Sequence, residues 1–291
     1  SVIASGGVPG GNAIWNSADA NSGQGIFNVS DTSWKIAAIA DFDADAKADI
    51  LWRNASSGDN VIWKGGNGMT PQAVSPVGDT NWKIAGIGDF DGDAKSDILW
   101  RNTSTGANSI WKSADANTGQ AVDSVGQQSW QVAGIGDFDG DAKSDILWRN
   151  TSTGANTIWK GASSTAGLAV DTVPTQWLIA GIGDFNADGK DDILWRNTST
   201  GSNAIWNAGN SNNGLAIDAV GDLNYQIVGT GDYNGDGKAD VMWRNASTGS
   251  SVIWNAGHSA EPIALVGVGD AAWTNPVQTQ TWLDAAGGYG V

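Results

Sequence analysis

The chain has 291 residues, of which 31 are acidic and 15 basic, giving a formal charge of −16 at pH 7. A negative charge of this size repels nucleic acid and anionic membrane surfaces, so we expect no nucleic-acid partner. The chain has no cysteine, which excludes disulfides and thiolate metal sites. No apolar run approaches the length of a membrane span, so we also predict no membrane insertion.

A nine-residue acidic loop occurs five times, beginning at Asp41, Asp89, Asp137, Asp184 and Asp232. Successive copies are 48, 48, 47 and 48 residues apart, a period typical of a β-propeller blade. Read from Trp82, one repeat contains four short segments rich in β-branched and aromatic residues, namely WKIAGIGDF, ILWRN, NSIWK and QAVDSVG. Turn residues separate these segments. The pattern predicts four β-strands in each repeat, so we expect the chain to be all-β.

Two sets of aromatic residues predict the number of blades. The strand-1 aromatic residues are Trp34, Trp82, Trp130, Trp177, Tyr225 and Trp273. The strand-3 tryptophans are Trp15, Trp63, Trp111, Trp159, Trp206 and Trp254. Each set has six members, so we predict that residues 1–291 form a single six-bladed β-propeller of four-stranded blades. Residues 1–30 and 265–291 would together complete the closing blade, which removes exposed sheet edges.

The acidic loops offer oxygen ligands at positions 1, 3, 5 and 9, the pattern that a hard divalent cation requires. Position 7 is always lysine, whose backbone carbonyl would be a further ligand. Without a cation, four converging carboxyl-type groups would repel one another strongly, so we expect up to five Ca²⁺ ions. The predicted ligands are Asp41, Asp43, Asp45, Lys47 and Asp49; Asp89, Asp91, Asp93, Lys95 and Asp97; Asp137, Asp139, Asp141, Lys143 and Asp145; Asp184, Asn186, Asp188, Lys190 and Asp192; and Asp232, Asn234, Asp236, Lys238 and Asp240.

The loops differ at position 6, which is glycine at Gly189 and Gly237 but alanine at Ala46, Ala94 and Ala142. If position 6 requires a positive φ, alanine there costs on the order of 1 kcal/mol. The three alanine loops also carry Asp instead of Asn at position 3, which adds a formal carboxylate. These two effects oppose each other, so the sequence does not rank the sites.

The stretch IGDFDGDAKSDILWRN, residues 87–102, resembles the FG-GAP or VCBS repeat of integrin α-subunit propellers and many secreted bacterial proteins. The resemblance extends over about residues 30–245. It implies that the acidic loop binds Ca²⁺. It also implies that the ring serves adhesion, carbohydrate binding or display beside a catalytic domain.

Every arginine lies in a Trp-Arg-Asn segment of strand 2, at Arg53, Arg101, Arg149, Arg196 and Arg244. Both faces of a propeller blade pack against neighbours, so we predict buried, structurally paired guanidinium groups that could reach a loop carboxylate. The alternative is that the arginines contact a ligand.

The chain has 17 tryptophans, most of them at fixed positions of the repeat, where core packing is the more common role. If one set is exposed, we favour the strand-3 set as a carbohydrate platform. Each of its members, Trp15, Trp63, Trp111, Trp159, Trp206 and Trp254, precedes a lysine or asparagine. An aromatic face beside a hydrogen-bond donor suits a sugar, and repetition would make such binding multivalent.

The sequence predicts no catalytic residues and no organic cofactor. All 15 basic residues occupy repeated positions, whereas an active site needs a singular constellation. We therefore expect a non-enzymatic, calcium-binding module with carbohydrate as the leading ligand class and protein–protein adhesion or display as the alternative. A polysaccharide lyase or hydrolase that uses the atypical closing blade, near His258 and Tyr289, ranks third.

The composition, rich in Gly, Asn and Ser and free of Cys, is typical of a secreted bacterial product. The chain begins at Ser1-Val2 without a charged and apolar leader, which favours a mature protein or an excised domain. We expect a secreted or cell-surface protein that is monomeric and whose partner is a glycan or an extracellular protein.

Overall fold

The computed structural model describes residues 2–6, 11–15, 23–260 and 262–264, with side chains described for 25–260 and 262–263. These residues form five antiparallel sheets of four strands and one sheet of three strands. Each four-stranded sheet is one repeat, and we number these sheets blades 1 to 5 in chain order. Among the described residues there is no α-helix, only single-turn 3-10 helices.

Twenty-three strands occur in the described part of the chain. The N-terminal sheet consists of β1 (Val2–Gly6), β2 (Gly11–Trp15) and β3 (Gly23–Ile26). Blades 1 and 2 consist of β4 (Trp34–Ala40), β5 (Asp49–Asn54), β6 (Asn60–Trp63), β7 (Pro71–Val74), β8 (Trp82–Gly88), β9 (Asp97–Asn102), β10 (Asn108–Trp111) and β11 (Gln120–Val122). Blades 3 and 4 consist of β12 (Trp130–Gly136), β13 (Asp145–Asn150), β14 (Asn156–Trp159), β15 (Gly167–Val170), β16 (Trp177–Gly183), β17 (Asp192–Asn197), β18 (Asn203–Trp206) and β19 (Gly214–Ile217). Blade 5 consists of β20 (Tyr225–Gly231), β21 (Asp240–Asn245), β22 (Ser251–Trp254) and β23 (Pro262–Ala264).

A 3-10 helix follows strand 3 of each blade, and blades 2 to 4 have a second one before strand 4. The first set is Lys64–Gly66, Lys112–Ala114, Lys160–Ala162, Asn207–Gly209 and Asn255–Gly257. The second set is Ala116–Thr118, Ser164–Ala166 and Ser211–Asn213.

The prediction of six four-stranded blades is wrong, because the structure has five such blades. The strand order β1-β2-β3 makes the N-terminal residues a separate sheet of three strands, and no fourth strand pairs with it among the described residues. The aromatic residues occur at six repeat positions, which predicts six blades. Such positions show sequence similarity between repeats, but they do not show which strands form hydrogen bonds with each other. The partner expected from residues 265–291 lies outside the described residues.

The strand positions within each repeat are confirmed. Strand 2 is buried on both faces, since in β9 every residue from Asp97 to Asn102 is buried. Strands 2 and 3 are joined by the predicted hairpin, and Gly106 in that hairpin has φ +76°. Strand 1 pairs with strand 2 through a β-bulge, which in blade 2 lies between Ile84 and Gly86.

Each arginine of blades 1 to 4 holds its blade to the next one. Arg101 is buried and donates to the carbonyl oxygen of Trp130, the first residue of blade 3, at 3.1 Å. Its guanidinium lies 4.9 Å from the ring centroid of Trp148 in the same neighbouring blade. The predicted structural role fits these contacts, but Arg101 donates to the backbone carbonyls of Gly106, Val125 and Trp130 and to Asn108 Oδ1, not to loop carboxylates.

No helix in the described part of the chain has the length and apolar character needed to cross a bilayer.

Candidate functional site

The five acidic loops connect strand 1 to strand 2 of each blade, so they lie at the same end of every sheet. In blade 2, β8 ends at Gly88 and β9 begins at Asp97, which is position 9 of the loop. The loop therefore starts directly after the buried end of strand 1 and ends with the first residue of strand 2. Both ends of the predicted ligand set are fixed by the sheet.

The position-1 carboxylate organises each loop by accepting backbone N–H groups. In blade 1, Asp41 Oδ1 accepts from Ala44 at 2.7 Å and Asp41 Oδ2 accepts from Ala46 at 2.8 Å. The same arrangement occurs in blade 2, where Asp89 Oδ2 accepts from Ala94 at 2.7 Å. The backbone N–H groups of the loop therefore point inward, toward the carboxylate of the first aspartate.

Position 6 has a positive φ in every loop. Ala46, Ala94 and Ala142 have φ of +61°, +66° and +64°, while Gly189 and Gly237 have +80° and +82°. Position 6 thus requires a positive φ, and alanine at this position carries a strain on the order of 1 kcal/mol.

The position-9 carboxylates are fully buried and join the loop to the turn after strand 3. Asp97 Oδ2 accepts from Phe90 N at 2.9 Å, and its Oδ1 accepts from Ser113 N at 2.7 Å. Ser113 has φ +47°, a conformation that directs its N–H at the carboxylate. The equivalent contacts recur in the other blades through Asp49, Asp145, Asp192 and Asp240.

Burial raises the pKa of these position-9 carboxyls. The pKa rises to about 7 for Asp97, Asp145 and Asp192, and it is raised from 3.8 for Asp49 and Asp240. Loss of hydration is the main cause. The backbone N–H bonds oppose it, and nearby loop carboxylates add to it. Ionisation is thus costly in this environment, and a positive charge in the loop would reduce that cost.

The position-3 side chain differs between the first three blades and the last two. Asp43, Asp91 and Asp139 each form an ion pair with the lysine that follows the strand-3 tryptophan. The Nζ–Oδ2 distances are 3.0 Å to Lys64, 3.2 Å to Lys112 and 3.1 Å to Lys160.

The other oxygen of two of these carboxylates has no partner. Asp43 Oδ1 and Asp91 Oδ1 are buried atoms that accept no hydrogen bond. A buried carboxylate oxygen without a donor is costly, and a cation in the loop would satisfy it.

Three predicted carboxylates converge in each of blades 1 to 3, with one ligand oxygen from each residue within 4.8 Å of the others. The groups are Asp41, Asp43 and Asp45; Asp89, Asp91 and Asp97; and Asp137, Asp139 and Asp145. In blades 4 and 5, asparagine supplies the position-3 oxygen. The position-7 lysines donate their N–H to the position-5 carboxylate, as Lys47 does to Asp45 Oδ1 at 2.9 Å.

The donor set fits calcium. Its members are carboxylates, amide oxygens and backbone groups on a short loop, and the unpartnered oxygens of Asp43 and Asp91 lie within it. With a cation bound, the residues at positions 1, 3, 5 and 9 and the position-7 carbonyl would hold it. The cation would then supply the positive charge that these carboxylates lack.

Neighbouring loops are linked to one another. The N–H at position 8 of one loop donates to the position-1 carbonyl of the preceding loop, as in Ser144 N to Asp89 O at 2.7 Å. The same bond links blades 1 and 2, 3 and 4, and 4 and 5. In blade 4 the position-8 residue is Asp191, whose buried Oδ2 also accepts from Asp137 N at 2.7 Å. Burial raises the pKa of Asp191 well above 3.8.

The strand-3 tryptophans of blades 1 to 5 are half-buried. Each packs against the buried strand-2 tryptophan of its own blade, as Trp111 does against Trp100 with ring centroids 5.1 Å apart. The lysines that follow in blades 1 to 3 are engaged with the loop carboxylates. Of the predicted ligand set, Trp63, Trp111, Trp159, Trp206 and Trp254 thus expose part of each indole, and the Trp15 side chain lies outside the described side chains.

The residues considered for catalysis do not form a site in the described part of the chain. His258 is exposed in the connection between β22 and β23. Tyr289 lies outside the described residues.

The sequence matches the model of the FG-GAP-like repeat family at residues 41–100 and 184–243. Each match begins at the first aspartate of one loop and extends to the strand-2 tryptophan after the next loop. No curated protein matches the sequence.

Solved structures resemble the fold at low sequence identity. A nidogen/laminin complex aligns at TM-score 0.59 and 11% identity, covering 90% of this chain and 92% of that one. A lectin of Agrocybe aegerita that recognises non-reducing terminal N-acetylglucosamine aligns at TM-score 0.55 and 14% identity, covering 92% and 90%. Virginiamycin B lyase from Staphylococcus aureus aligns at TM-score 0.55 and 8% identity, covering 90% and 80%. These likenesses concern the fold alone.

Proposed function

Because the chain carries FG-GAP-like repeats on a β-propeller of repeated blades, we propose that it is a calcium-binding, non-catalytic binding module. The observation that carries the calcium assignment is a constant charge at the five loops. We count the residues at positions 1, 3, 5, 7 and 9 and the residue after the strand-3 tryptophan. Blades 1 to 3 then have four aspartates and two lysines, and blades 4 and 5 have three aspartates and one lysine.

The balance is therefore −2 in every blade, although it is reached with two different residue sets. One divalent cation per loop neutralises this charge. The count covers only the positions named above, so it does not include Asp191, which is at position 8 of its loop and accepts a hydrogen bond from Asp137 N. An acidic surface turn that binds no cation would not need the same net charge in both residue sets.

The experiment is equilibrium dialysis of the chelator-treated protein against calcium, with bound metal counted per chain. We expect saturation at five ions. The variant Asp89→Ala should lose about one ion, whereas Asp79→Ala, which removes an exposed aspartate outside the loops, should lose none. No calcium above background at millimolar concentration would overturn the assignment.

We propose carbohydrate as the ligand class. The support is the set of partly exposed indoles at one position of five blades, which would give weak sites that add up through multivalency. The lectin of similar fold shows that a propeller-like chain of this size can recognise a sugar.

A glycan array probed in calcium and in EDTA tests this ligand class. Binding should weaken in Trp111→Phe, which keeps an aromatic ring in the core but reduces the exposed indole. Trp100→Phe changes the buried partner instead and should leave binding intact in folded protein. The carbohydrate proposal is refuted if a broad array gives no signal with calcium-loaded, folded protein.

A second candidate, adhesion to a protein, is favoured by one surface feature. The outer strands of blades 3 to 5 expose Leu168, Leu215 and Ile263 at 41%, 47% and 39%. Gln72 and Gln120 occupy the same register position in blades 1 and 2. An apolar rim on three adjacent blades suits a protein surface better than a sugar. In a panel of extracellular proteins, a triple change of the three apolar residues to Gln should abolish any capture that this rim provides.

We place the protein outside the cell, secreted or at the cell surface of a bacterium, where calcium is millimolar and loop sites of this kind are filled. We propose that it acts as a monomer, which sedimentation of the calcium-loaded chain would check.

A further inference from the structure

The five loops divide into two chemical classes, and we infer that they bind calcium with two affinities. The tighter sites are the three of blades 1 to 3, and the weaker sites are the two of blades 4 and 5. This inference rests on the proposed calcium function and adds to it a difference in affinity between loops of the same chain.

Three positions change together between the classes. Blades 1 to 3 have Asp at position 3, Ala at position 6 and Lys after the strand-3 tryptophan. Blades 4 and 5 have Asn, Gly and Asn at the same three positions. The position-3 residue and the residue after the tryptophan lie about 20 residues apart in sequence and meet in the fold, where Lys64 Nζ is 3.0 Å from Asp43 Oδ2. The pair is therefore a unit, and we call the two versions the Asp–Lys loops and the Asn–Asn loops.

In the Asp–Lys loops the lysine holds one carboxylate oxygen and leaves the other for a cation. Lys112 binds Asp91 Oδ2, while Asp91 Oδ1 is buried and accepts no hydrogen bond. Asp43 is the same, and Asp139 Oδ1 accepts only a longer bond of 3.2 Å from Asp141 N. In blades 1 and 2 a charged oxygen is thus held in place without a hydrogen bond, and in blade 3 it accepts only the longer one.

In the Asn–Asn loops the corresponding oxygen is neutral and already engaged. Asn186 Oδ1 accepts from Asp188 N at 2.8 Å, and Asn234 Oδ1 accepts from Asp236 N at 2.8 Å. A cation there must share this oxygen with an N–H group, and the amide offers a dipole instead of a charge. Calcium affinity depends on the charge count and the rigidity of the ligands, so this difference favours the Asp–Lys loops.

The lysine offsets the negative charge of the additional carboxylate. All five loops keep the same balance of −2, so long-range charge does not distinguish the classes. The difference is local, because the carboxylate oxygen contacts the cation while the ammonium lies on the opposite oxygen.

Position 6 acts in the same direction. Ala46, Ala94 and Ala142 already hold φ between +61° and +66°, so their strain belongs to the folded loop and is not added on binding. Glycine at Gly189 and Gly237 leaves the backbone more freedom, and part of that freedom is lost when a cation orders the loop. From the sequence, we expected position 3 to favour calcium binding in the alanine loops and position 6 to disfavour it. In the structure, both positions favour tighter binding in these loops.

The test is a calcium titration of chelator-treated protein by isothermal calorimetry, with bound ions counted by dialysis. We expect two phases with three tight and two weak ions, whose dissociation constants differ by about tenfold or more. Two charge-conserving double variants exchange the classes. Asp43→Asn with Lys64→Asn should give two tight and three weak ions, and Asn186→Asp with Asn207→Lys should give four and one.

The outcomes separate this inference from the proposed function. If no calcium binds, the proposed function fails. If five ions bind with one affinity, or if the double variants leave the stoichiometry of the phases unchanged, the proposed function stands and the two-class inference is overturned. Circular dichroism of each variant in calcium shows whether it is folded, and the reciprocal variant in blade 4 adds a tight site, which misfolding cannot imitate.

Discussion

Replacing Arg149 by methionine tests how the blades are held together. The buried guanidinium donates to Asn156 Oδ1 at 2.9 Å and to the carbonyl oxygens of Gly154 and Val173 at 3.2 Å and 3.1 Å. It also donates to Trp177 O, the first residue of blade 4, at 2.8 Å. Methionine retains most of the apolar stem but removes all four of these bonds, and only Gly154 O keeps other donors in the described part of the chain, Val173 N and Asn156 Nδ2.

The expected cost follows from these contacts. A hydrogen bond to a charged group is worth roughly 1.5–3 kcal/mol, and the Arg149 guanidinium also lies 5.1 Å from the ring centroid of Trp195 in blade 4. Burial lowers the pKa of Arg149, so part of the gain is offset by desolvation of the guanidinium. We expect a net loss of about 3–5 kcal/mol, which lowers the melting temperature by roughly 10 °C in a chain of this size.

The assay is thermal unfolding followed by circular dichroism in saturating calcium. Lys83→Met is the matched control, since it removes the same charge from an exposed strand-1 position and should shift the transition by less than about 2 °C. Arg149→Lys should behave like Arg149→Met, because an ammonium group cannot reach all of these acceptors at once. A loss below about 1 kcal/mol in Arg149→Met would refute the role given to this residue.

Three further predictions concern the turns and loops. Gly201→Ala should destabilise the protein by more than about 1 kcal/mol, because φ is +75° and a Cβ would lie 2.1 Å from Val220 O. Gly221→Ala, with nothing within 4 Å of the Cβ, should be nearly neutral in the same urea titration, and equal effects would contradict the steric argument. Ala142→Gly should raise stability by up to about 1 kcal/mol, since it relieves a φ of +64°; a lower melting temperature would show that the loop is not strained there. In EDTA, stability should fall as the pH rises from about 4 to 7, because the folded-state pKa of Asp145 is raised from 3.8 to about 7 and the folded chain binds more protons in that window. Asp145→Asn should flatten this dependence, and a melting temperature that rises with pH in EDTA would contradict it.

The repeat, its four strands and the placement of the loops could be predicted because each depends on local pattern. Alternating apolar residues and the turn glycines at positions such as Gly106 identify strands within one repeat. The number of four-stranded blades could not be obtained in this way. It depends on whether strands from opposite ends of the chain exchange hydrogen bonds, and no local pattern records such a pairing.

The ion pairs between loops and strand-3 turns were missed, although a signal for them was in the sequence. Lysine follows the strand-3 tryptophan only in the blades whose loop has Asp at position 3, as in Asp91 and Lys112. Positions that vary together indicate a spatial contact, so a comparison of the five repeats predicts this pair. The role of position 9 was also incomplete. Asp97 was predicted as a ligand only, whereas the structure gives it two backbone donors that depend on the fold of another turn.

Thermal unfolding of one preparation in calcium and in EDTA measures whether cations in the acidic loops stabilise the β-propeller. A site that exists only in the folded state adds about 2.7 kcal/mol when calcium is a hundredfold above its dissociation constant. We expect a melting temperature that rises with calcium concentration and returns to its lower value on chelation. A melting curve that is identical in calcium and in EDTA would contradict it.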